Sequence, residues 1–111
     1  MNGNFVFKNA VVRFEQVIKE SLEYSNLNTE DISLLIPHQA NLRISQFIQK
    51  KLKLSDSQVF NNIMKYGNTT AASIPIALTE AYQSNLIKNN DIVVLAAFGS
   101  GFTWGSAVIK W

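Results

Sequence analysis

The sequence predicts an α/β domain with a mainly parallel mixed sheet and an antiparallel hairpin at its C-terminal end. Apolar patterns with the period of a helix alternate with short apolar runs typical of strands, in the order α-β-α-β-α-β-β. This alternation favours parallel strands joined by right-handed crossovers, whereas a Gly-Ser-Gly turn at residues 99–101 favours a closing hairpin. The 111 residues allow one small domain at most.

Three helices are predicted from stripes of apolar residues. The first covers residues 5–24, the second residues 39–52, and the third ends near residue 86 after a loop at Gly67 and Asn68. Pro75 must lie in the first turn of the third helix, because a proline deeper in a helix costs ~3 kcal/mol. The inner side of the second helix is predicted to carry Leu42, Ile44, Phe47, Ile48 and Leu52.

Four strands are predicted, each bounded by turn residues. Residues 32–36 form a continuous apolar run ended by Pro37, as expected of a parallel strand that is buried on both faces. Residues 59–64 form a weaker and more polar strand. The preceding residues 55–58 have the form of a capping box, but we interpret them as a turn into that strand. Residues 92–98 and 103–111 form the last two strands.

The composition argues against several classes of function. The chain is 47% hydrophobic and 16% charged, with a net charge of +2 and no cysteine, so disulfides, thiolate metal sites and a cysteine nucleophile are excluded. One histidine without a nearby carboxylate pair gives too few ligands for a metal. The basic residues lack interleaved aromatics, which argues against nucleic acid. The longest apolar run is too short to span a membrane and the N-terminus does not resemble a signal peptide, so we expect a cytoplasmic protein.

Candidate site residues follow three of the predicted strands. His38 comes after the first strand, Asn68 after the second and Gly99 after the third. The carboxyl ends of parallel strands share one rim, so these residues are expected to lie side by side. An imidazole, a carboxamide and the N–H groups of a Gly-Ser-Gly turn can all stabilise negative charge developing on an oxygen. Each also has an ordinary structural explanation, as a cap, a turn or a hairpin loop, and the residues alone leave both open.

Three strings of the sequence resemble the C-terminal half of the β-ketoacyl-acyl-carrier-protein synthase III family. They are Pro-His-Gln-Ala-Asn-Leu-Arg-Ile at residues 37–44, Gly-Asn-Thr-Thr-Ala-Ala-Ser-Ile-Pro at residues 67–75, and Phe-Gly-Ser-Gly-Phe-Thr-Trp-Gly at residues 98–105. The similarity extends over residues 3–111. It implies that residues 1–111 are the C-terminal domain of a 3-oxoacyl-acyl-carrier-protein synthase III, with a thiolase-like fold that lacks the first strand of this half.

The resemblance implies an acyltransferase that starts fatty acid synthesis by decarboxylative Claisen condensation. The family uses a Cys-His-Asn triad, whose histidine and asparagine match His38 and Asn68. These two side chains would donate hydrogen bonds to the malonyl thioester oxygen and stabilise the enolate. Phe98 matches a phenylalanine near the departing carboxylate, and the N–H of Ser100 matches one half of an oxyanion hole.

The resemblance also implies substrates and partners. Coenzyme A thioesters and malonyl-acyl-carrier protein would be the substrates, with no covalently bound cofactor, and the full enzyme would be a homodimer. The residues matched to docking of the acidic acyl carrier protein are Gln39, Ala40, Asn41, Leu42, Arg43, Lys8 and Lys50. Those matched to the pantetheine channel are Gly3, Asn4, Phe7, Asn41 and Ile44.

The chain departs from the family pattern in what it lacks. The catalytic cysteine of the family belongs to an N-terminal half that has no counterpart here, so the isolated chain is expected to be inactive. The resemblance further implies that the missing first strand would leave a gap between the strands at residues 32–36 and 92–98. The chain alone would have to close this gap, leave its edges open or take a strand from another chain. The absence of cysteine argues against a thiolase, and Asn68 favours the initiating class over elongating synthases. The alternative is a non-catalytic association or carrier-docking module of the same fold.

Overall fold

The structure is a computed structural model that describes residues 3–39, 41–69, 72–99 and 103–111. Most of the chain lies in helices and strands that alternate along it. A single turn of 3-10 helix precedes the first strand at Thr29–Asp31, and another follows the second helix at Asp56–Gln58. The principal elements are helices α1 (Gly3–Tyr24), α2 (Leu42–Lys51), α3 (Ile63–Tyr66) and α4 (Ser73–Gln83), and strands β1 (Leu34–Pro37), β2 (Ile92–Gly99) and β3 (Thr103–Lys110).

The three strands form one mixed sheet in the order β1-β2-β3. β1 pairs in parallel with β2, from Leu34 opposite Val93 to Pro37 opposite Ala96. β2 pairs in antiparallel fashion with β3, which lies at the edge of the sheet in the described part of the chain. The predicted hairpin is therefore confirmed. The gap that the resemblance implies between the first and third predicted strands is closed, because β1 and β2 are direct neighbours.

The predicted strand at residues 59–64 is reduced to a single pair. Val59 forms an isolated parallel bridge with Leu35, and the N–H of Phe60 donates to the carbonyl of Leu35 at 2.9 Å. The chain then leaves the sheet, because the N–H groups of Asn62 and Ile63 donate to the side chain of Gln39 instead of to a ladder. The capping box at residues 55–58 is present, within a single helical turn that leads into the bridge.

Two hydrophobic cores lie on opposite faces of the sheet, which gives a three-layer arrangement. Successive side chains of a strand point to opposite faces, so each strand contributes to both cores. This explains the continuous apolar run of β1, whose four residues are all buried. The core under α1 and α2 includes Val11, Phe14, Ile18, Leu22, Leu35, Ile48, Leu52, Val94 and Ala96. The core under α4 includes Leu34, Ile36, Ala77, Ala81, Ile87 and Val93.

The three predicted helices are present, but α1 begins at Gly3, α4 ends at Gln83 instead of near residue 86, and the short α3 was not predicted. A further difference lies at the start of α2. That helix begins at Leu42 and not at Gln39, because the side-chain oxygen of Asn41 caps it by accepting the N–H of Arg43 at 2.9 Å. Pro75 is the third residue of α4 and lies in its first turn, as predicted. Among the described residues, no helix is both long and apolar enough to span a bilayer.

Candidate active site

His38 follows the last residue of β1 and is held by the sheet. Its backbone N–H donates to the carbonyl of Ala96 at 2.7 Å, which continues the hydrogen bonding between β1 and β2. The side chain is half-buried, and this burial lowers the pKa of His38 from its ordinary value of 6.5. The imidazole is therefore neutral at pH 7, with one nitrogen that donates a hydrogen bond and one that accepts.

A small cavity lies beside His38, between β1 and the helices α1 and α2. Its volume is about 30 Å³, enough for a water molecule, and its walls are mainly apolar. Asn41 and Ile44, two of the residues matched to the pantetheine channel, lie in this wall with His38. The full lining is Phe14, Pro37, His38, Asn41, Ile44, Ser45 and Ile48.

Gln39 points into the protein and not towards a carrier protein. Its side chain is only 3% exposed. The carboxamide oxygen accepts the N–H groups of Asn62 at 2.8 Å and Ile63 at 3.0 Å, and the carboxamide nitrogen donates to the carbonyl of Pro37 at 2.7 Å. Its side chain therefore offers almost no surface to a second protein, and we leave Gln39 out of the docking set proposed below.

Asn68 lies in the segment between α3 and α4. Gly67 ends α3 with a φ of 69°, a left-handed conformation that favours glycine, and the exposed Asn68 follows it. At the far end of the segment, the hydroxyl of Ser73 accepts the backbone N–H of Gln39 at 2.6 Å. The start of α4 is thereby attached to the residue that follows His38.

The remaining predicted site residues are only partly described. Ala40 and Ser100 lie outside the described residues. Phe98 belongs to β2 and pairs with Trp104 of β3, at the end of β2 that lies near the carboxyl end of β1. The structure describes only the backbone of Gly3, Asn4, Phe7 and Phe98, so their assignments remain predictions.

A groove with basic residues runs along the outer side of α2. Its volume is about 380 Å³, and Arg43 and Lys50 lie in its lining together with Phe47. Phe47 was predicted on the inner side of the helix, but 46% of its surface is exposed. The helical pattern fits both Phe47 and Ile48, because they stand three and four residues after Ile44 and fall on the two sides of one stripe, but only Ile48 is buried. Of the other residues matched to docking, Lys8 and Asn41 are exposed and Leu42 is half-buried.

The comparisons with known proteins agree with this architecture. The model of the family described as 3-oxoacyl-[acyl-carrier-protein (ACP)] synthase III C terminal matches residues 22–111. The chain belongs to this family. It is 53% identical over 111 residues to the β-ketoacyl-[acyl-carrier-protein] synthase III of Clostridioides difficile (strain 630), a match that covers 100% of this chain and 34% of that protein.

Solved structures of the synthase III family confirm the predicted thiolase-like α/β fold. The 3-oxoacyl-[acyl-carrier-protein] synthase III of Aquifex aeolicus VF5 matches with a TM-score of 0.95 and 46% identity, over 100% of this chain and 36% of that one. The synthase III of Thermus thermophilus matches with a TM-score of 0.94 and 46% identity, over 100% and 35% of the two chains. The chain therefore spans about a third of the length of these synthases.

Proposed function

We propose that this chain is the C-terminal catalytic part of a 3-oxoacyl-acyl-carrier-protein synthase III and supplies the histidine and asparagine of its condensing site. The observation that carries the proposal is His38, a neutral imidazole at the end of β1 beside an apolar cavity, within a chain of this family. A cysteine from a segment outside the 111 residues would complete the site, because the chain contains none. The isolated chain would then be inactive.

The proposed reaction has two stages. An acyl group moves from coenzyme A to the cysteine sulfur, and the coenzyme A thiol is released. The malonyl thioester then loses carbon dioxide, and the electrons of the broken carbon–carbon bond form an enolate. The enolate carbon attacks the acyl thioester carbon, the cysteine thiolate leaves, and a 3-oxoacyl product results.

His38 and Asn68 would act on the thioester oxygen, where negative charge develops during decarboxylation. Each side chain can donate one hydrogen bond to that oxygen, which stabilises the enolate more than the neutral thioester. The lowered pKa of His38 keeps its ring neutral. The N–H of the neutral ring can donate a hydrogen bond without a change in protonation. The mainly apolar walls beside His38 lower the local polarity, which strengthens the hydrogen bond from its ring.

The other matched residues would assist at the two ends of the substrate. Phe98 would lie beside the departing carboxylate, and the N–H of Ser100 would form half of an oxyanion hole for the acyl thioester. Asn41 and Ile44 would contact the pantetheine arm, since both lie in the cavity wall beside His38. Gly3, Asn4 and Phe7 would line the same channel.

The groove on α2 would receive the acyl carrier protein. Arg43 and Lys50 offer positive charge, and the exposed ring of Phe47 between them offers apolar contact area. This combination fits an acidic, partly apolar surface, because charges steer the encounter while buried apolar groups provide affinity. Lys8, Ala40, Asn41 and Leu42 complete the proposed docking set.

A chimera tests the catalytic proposal. Residues 1–111 would replace the matching C-terminal third of the Clostridioides difficile synthase, and condensation of acetyl-CoA with malonyl-acyl-carrier protein would be measured. We expect turnover by the chimera, none by the isolated chain, and a loss of about 10²–10³ in kcat for His38→Ala or Asn68→Ala. Release of carbon dioxide, assayed separately, should fall in parallel. Full activity of the His38→Ala chimera would refute the proposed role.

The α2 groove also supports the alternative, a carrier-docking module without catalysis. The same chimera separates the two functions. A correctly folded chimera that binds malonyl-acyl-carrier protein but produces no 3-oxoacyl product would favour the docking module. Turnover that depends on His38 would exclude it.

A further inference from the structure

The carboxamide of Gln39 is buried and fully used in hydrogen bonding. Its oxygen accepts two backbone N–H groups, those of Asn62 and Ile63. Its nitrogen donates to the carbonyl of Pro37 at 2.7 Å and, at 3.4 Å, to that of Phe60. A carboxamide has two donor hydrogens and two acceptor lone pairs, so all four positions are occupied.

These bonds attach both ends of one segment to a single residue. Asn62 and Ile63 stand at the start of α3, and Ser73, which accepts the backbone N–H of Gln39 at 2.6 Å, is the first residue of α4. Asn68 lies between these two attachment points. Gln39 in turn directly follows His38, whose own N–H is fixed to β2.

We propose that Gln39 is a positioning residue that holds the segment carrying Asn68 in place relative to His38, an inference that rests on the proposed function of those two side chains. Ser73 contributes to the same positioning, since its hydroxyl attaches the start of α4 to the backbone of Gln39. Both side chains are nearly inaccessible, at 3% for Gln39 and 1% for Ser73. Burial makes the geometry stiff, because breaking any of these bonds leaves a polar group without water.

Gln58 provides a matched control. It is also a glutamine that bridges backbone groups, donating to the carbonyl of Ile32 at 2.9 Å and accepting the N–H of Ser55 at 2.9 Å. Ile32 precedes β1, so this bridge lies at the opposite end of the strand from His38. Removal of the Gln58 carboxamide should destabilise the fold without moving the proposed site.

NMR spectroscopy on the 111-residue chain tests the attachment without any need for activity. His38 is the only histidine, so its titration is unambiguous, and we expect the side-chain amide signals of Asn68 to follow it. In Gln39→Ala this coupling should be lost, and amide exchange at Asn62 and Ile63 should accelerate by about tenfold or more. In Gln58→Ala the coupling of Asn68 to the His38 titration and the amide exchange at Asn62 and Ile63 should both be unchanged. The proposal is overturned if the Asn68 chemical shifts do not change during the His38 titration of the unsubstituted chain. It is also overturned if they still change with that titration in Gln39→Ala.

Kinetics of the chimera test the consequence for catalysis. A displacement of about 1 Å can lower turnover by about 10², so we expect Gln39→Ala to reduce kcat by that order while KM for acetyl-CoA changes less than about twofold. Gln58→Ala should retain kcat. In a His38→Ala background the Gln39→Ala substitution should cause no further loss, because its effect acts through the same pair. Equal losses from Gln39→Ala in both backgrounds would show a general effect on folding and refute positioning.

A milder variant covers the case in which Gln39→Ala does not fold. Ser73→Ala removes one attachment and should give a smaller reduction in kcat with faster exchange of the Gln39 N–H. Unchanged kcat in Ser73→Ala, with that N–H exchanging freely, would also refute the proposal. Inactivity of the unsubstituted chimera would count against the proposed function alone, since the NMR result on the chain stands independently.

Discussion

The backbone N–H of His38 donates to the carbonyl of Ala96 at 2.7 Å, although His38 lies beyond the last residue of β1. The ladder between β1 and β2 thus fixes the main chain of the proposed catalytic residue. Only the two side-chain torsions remain to be set, and the wall formed by Phe14, Ile44 and Ile48 restricts the space available to the ring. The sheet therefore contributes directly to the precision of the site.

The burial of His38 predicts a dependence of stability on pH. Its pKa in the folded chain is lowered from 6.5, so between the folded and unfolded values only the unfolded chain binds the proton. Stability should be complete above about pH 6.5 and should fall as the pH drops through the folded pKa. Urea unfolding at several pH values checks this. A His38→Gln variant should lack this component, and an identical pH profile in the two proteins would contradict the prediction.

Reversal of one charge in the α2 groove should weaken binding of an acidic carrier protein. We expect Arg43→Glu to raise the Kd about fivefold at low salt, on the order of 1 kcal/mol for an exposed pair, and to leave unfolding unchanged. Lys88→Glu is the control, because the exposed Lys88 precedes β2 at the end of the sheet away from His38. Titration calorimetry at two salt concentrations provides the measurement. Equal effects of the two substitutions would show that only net charge matters.

The two ends of the Asn41 carboxamide should have separable roles. Its oxygen caps α2, which leaves its nitrogen as the proposed donor to a carbonyl of the pantetheine arm. Asn41→Asp keeps the cap but removes the donor, whereas Asn41→Ala removes both and should cost ~1 kcal/mol of stability. In the chimera, both variants should raise KM for malonyl-pantetheine about threefold to tenfold. An unchanged KM in Asn41→Asp would remove Asn41 from the proposed channel.

Leu35 should be among the most sensitive positions of the fold. Its side chain is fully buried in the core beneath α1 and α2, and its backbone carbonyl accepts the N–H of Phe60. Leu35→Ala should lower the free energy of unfolding by ~2–5 kcal/mol, because it leaves a cavity where relaxation is limited. Leu86→Ala, at a position that is 48% exposed, should cost far less. Denaturant titration of both variants decides the matter.

Local patterns were sufficient to predict most of the fold. The apolar stripe of α1 and the buried run of β1 depend on periodicity, which the sequence displays directly. The strand predicted at residues 59–64 failed because the next N–H groups are taken by Gln39, a contact between residues 23 positions apart. The resemblance implied a gap that the chain could close, leave open or fill from another chain, and no local pattern selects among these outcomes. Direct pairing of β1 with β2 could be learned only from the structure.

The candidate site was predicted less completely than the fold. The position of His38 at a strand end follows from Pro37 and the apolar run before it. Gln39 was placed in the docking set because of the resemblance to the family, and nothing in the spacing marks a buried carboxamide. Pro75 predicted a helix start close by, but nothing in the sequence indicated the hydrogen bond between Ser73 and Gln39. Long-range polar contacts of this kind leave no periodic trace.

The position of β3 has a practical consequence for work with this chain. In the described residues β3 pairs with β2 on one side only, so the outward N–H and C=O groups of Thr103–Lys110 form a row about 27 Å long. Such a row can template the addition of a foreign strand. Protein concentration is thus an experimental variable in its own right, and size measurements over a range of concentrations will show whether copies of the chain add at this edge.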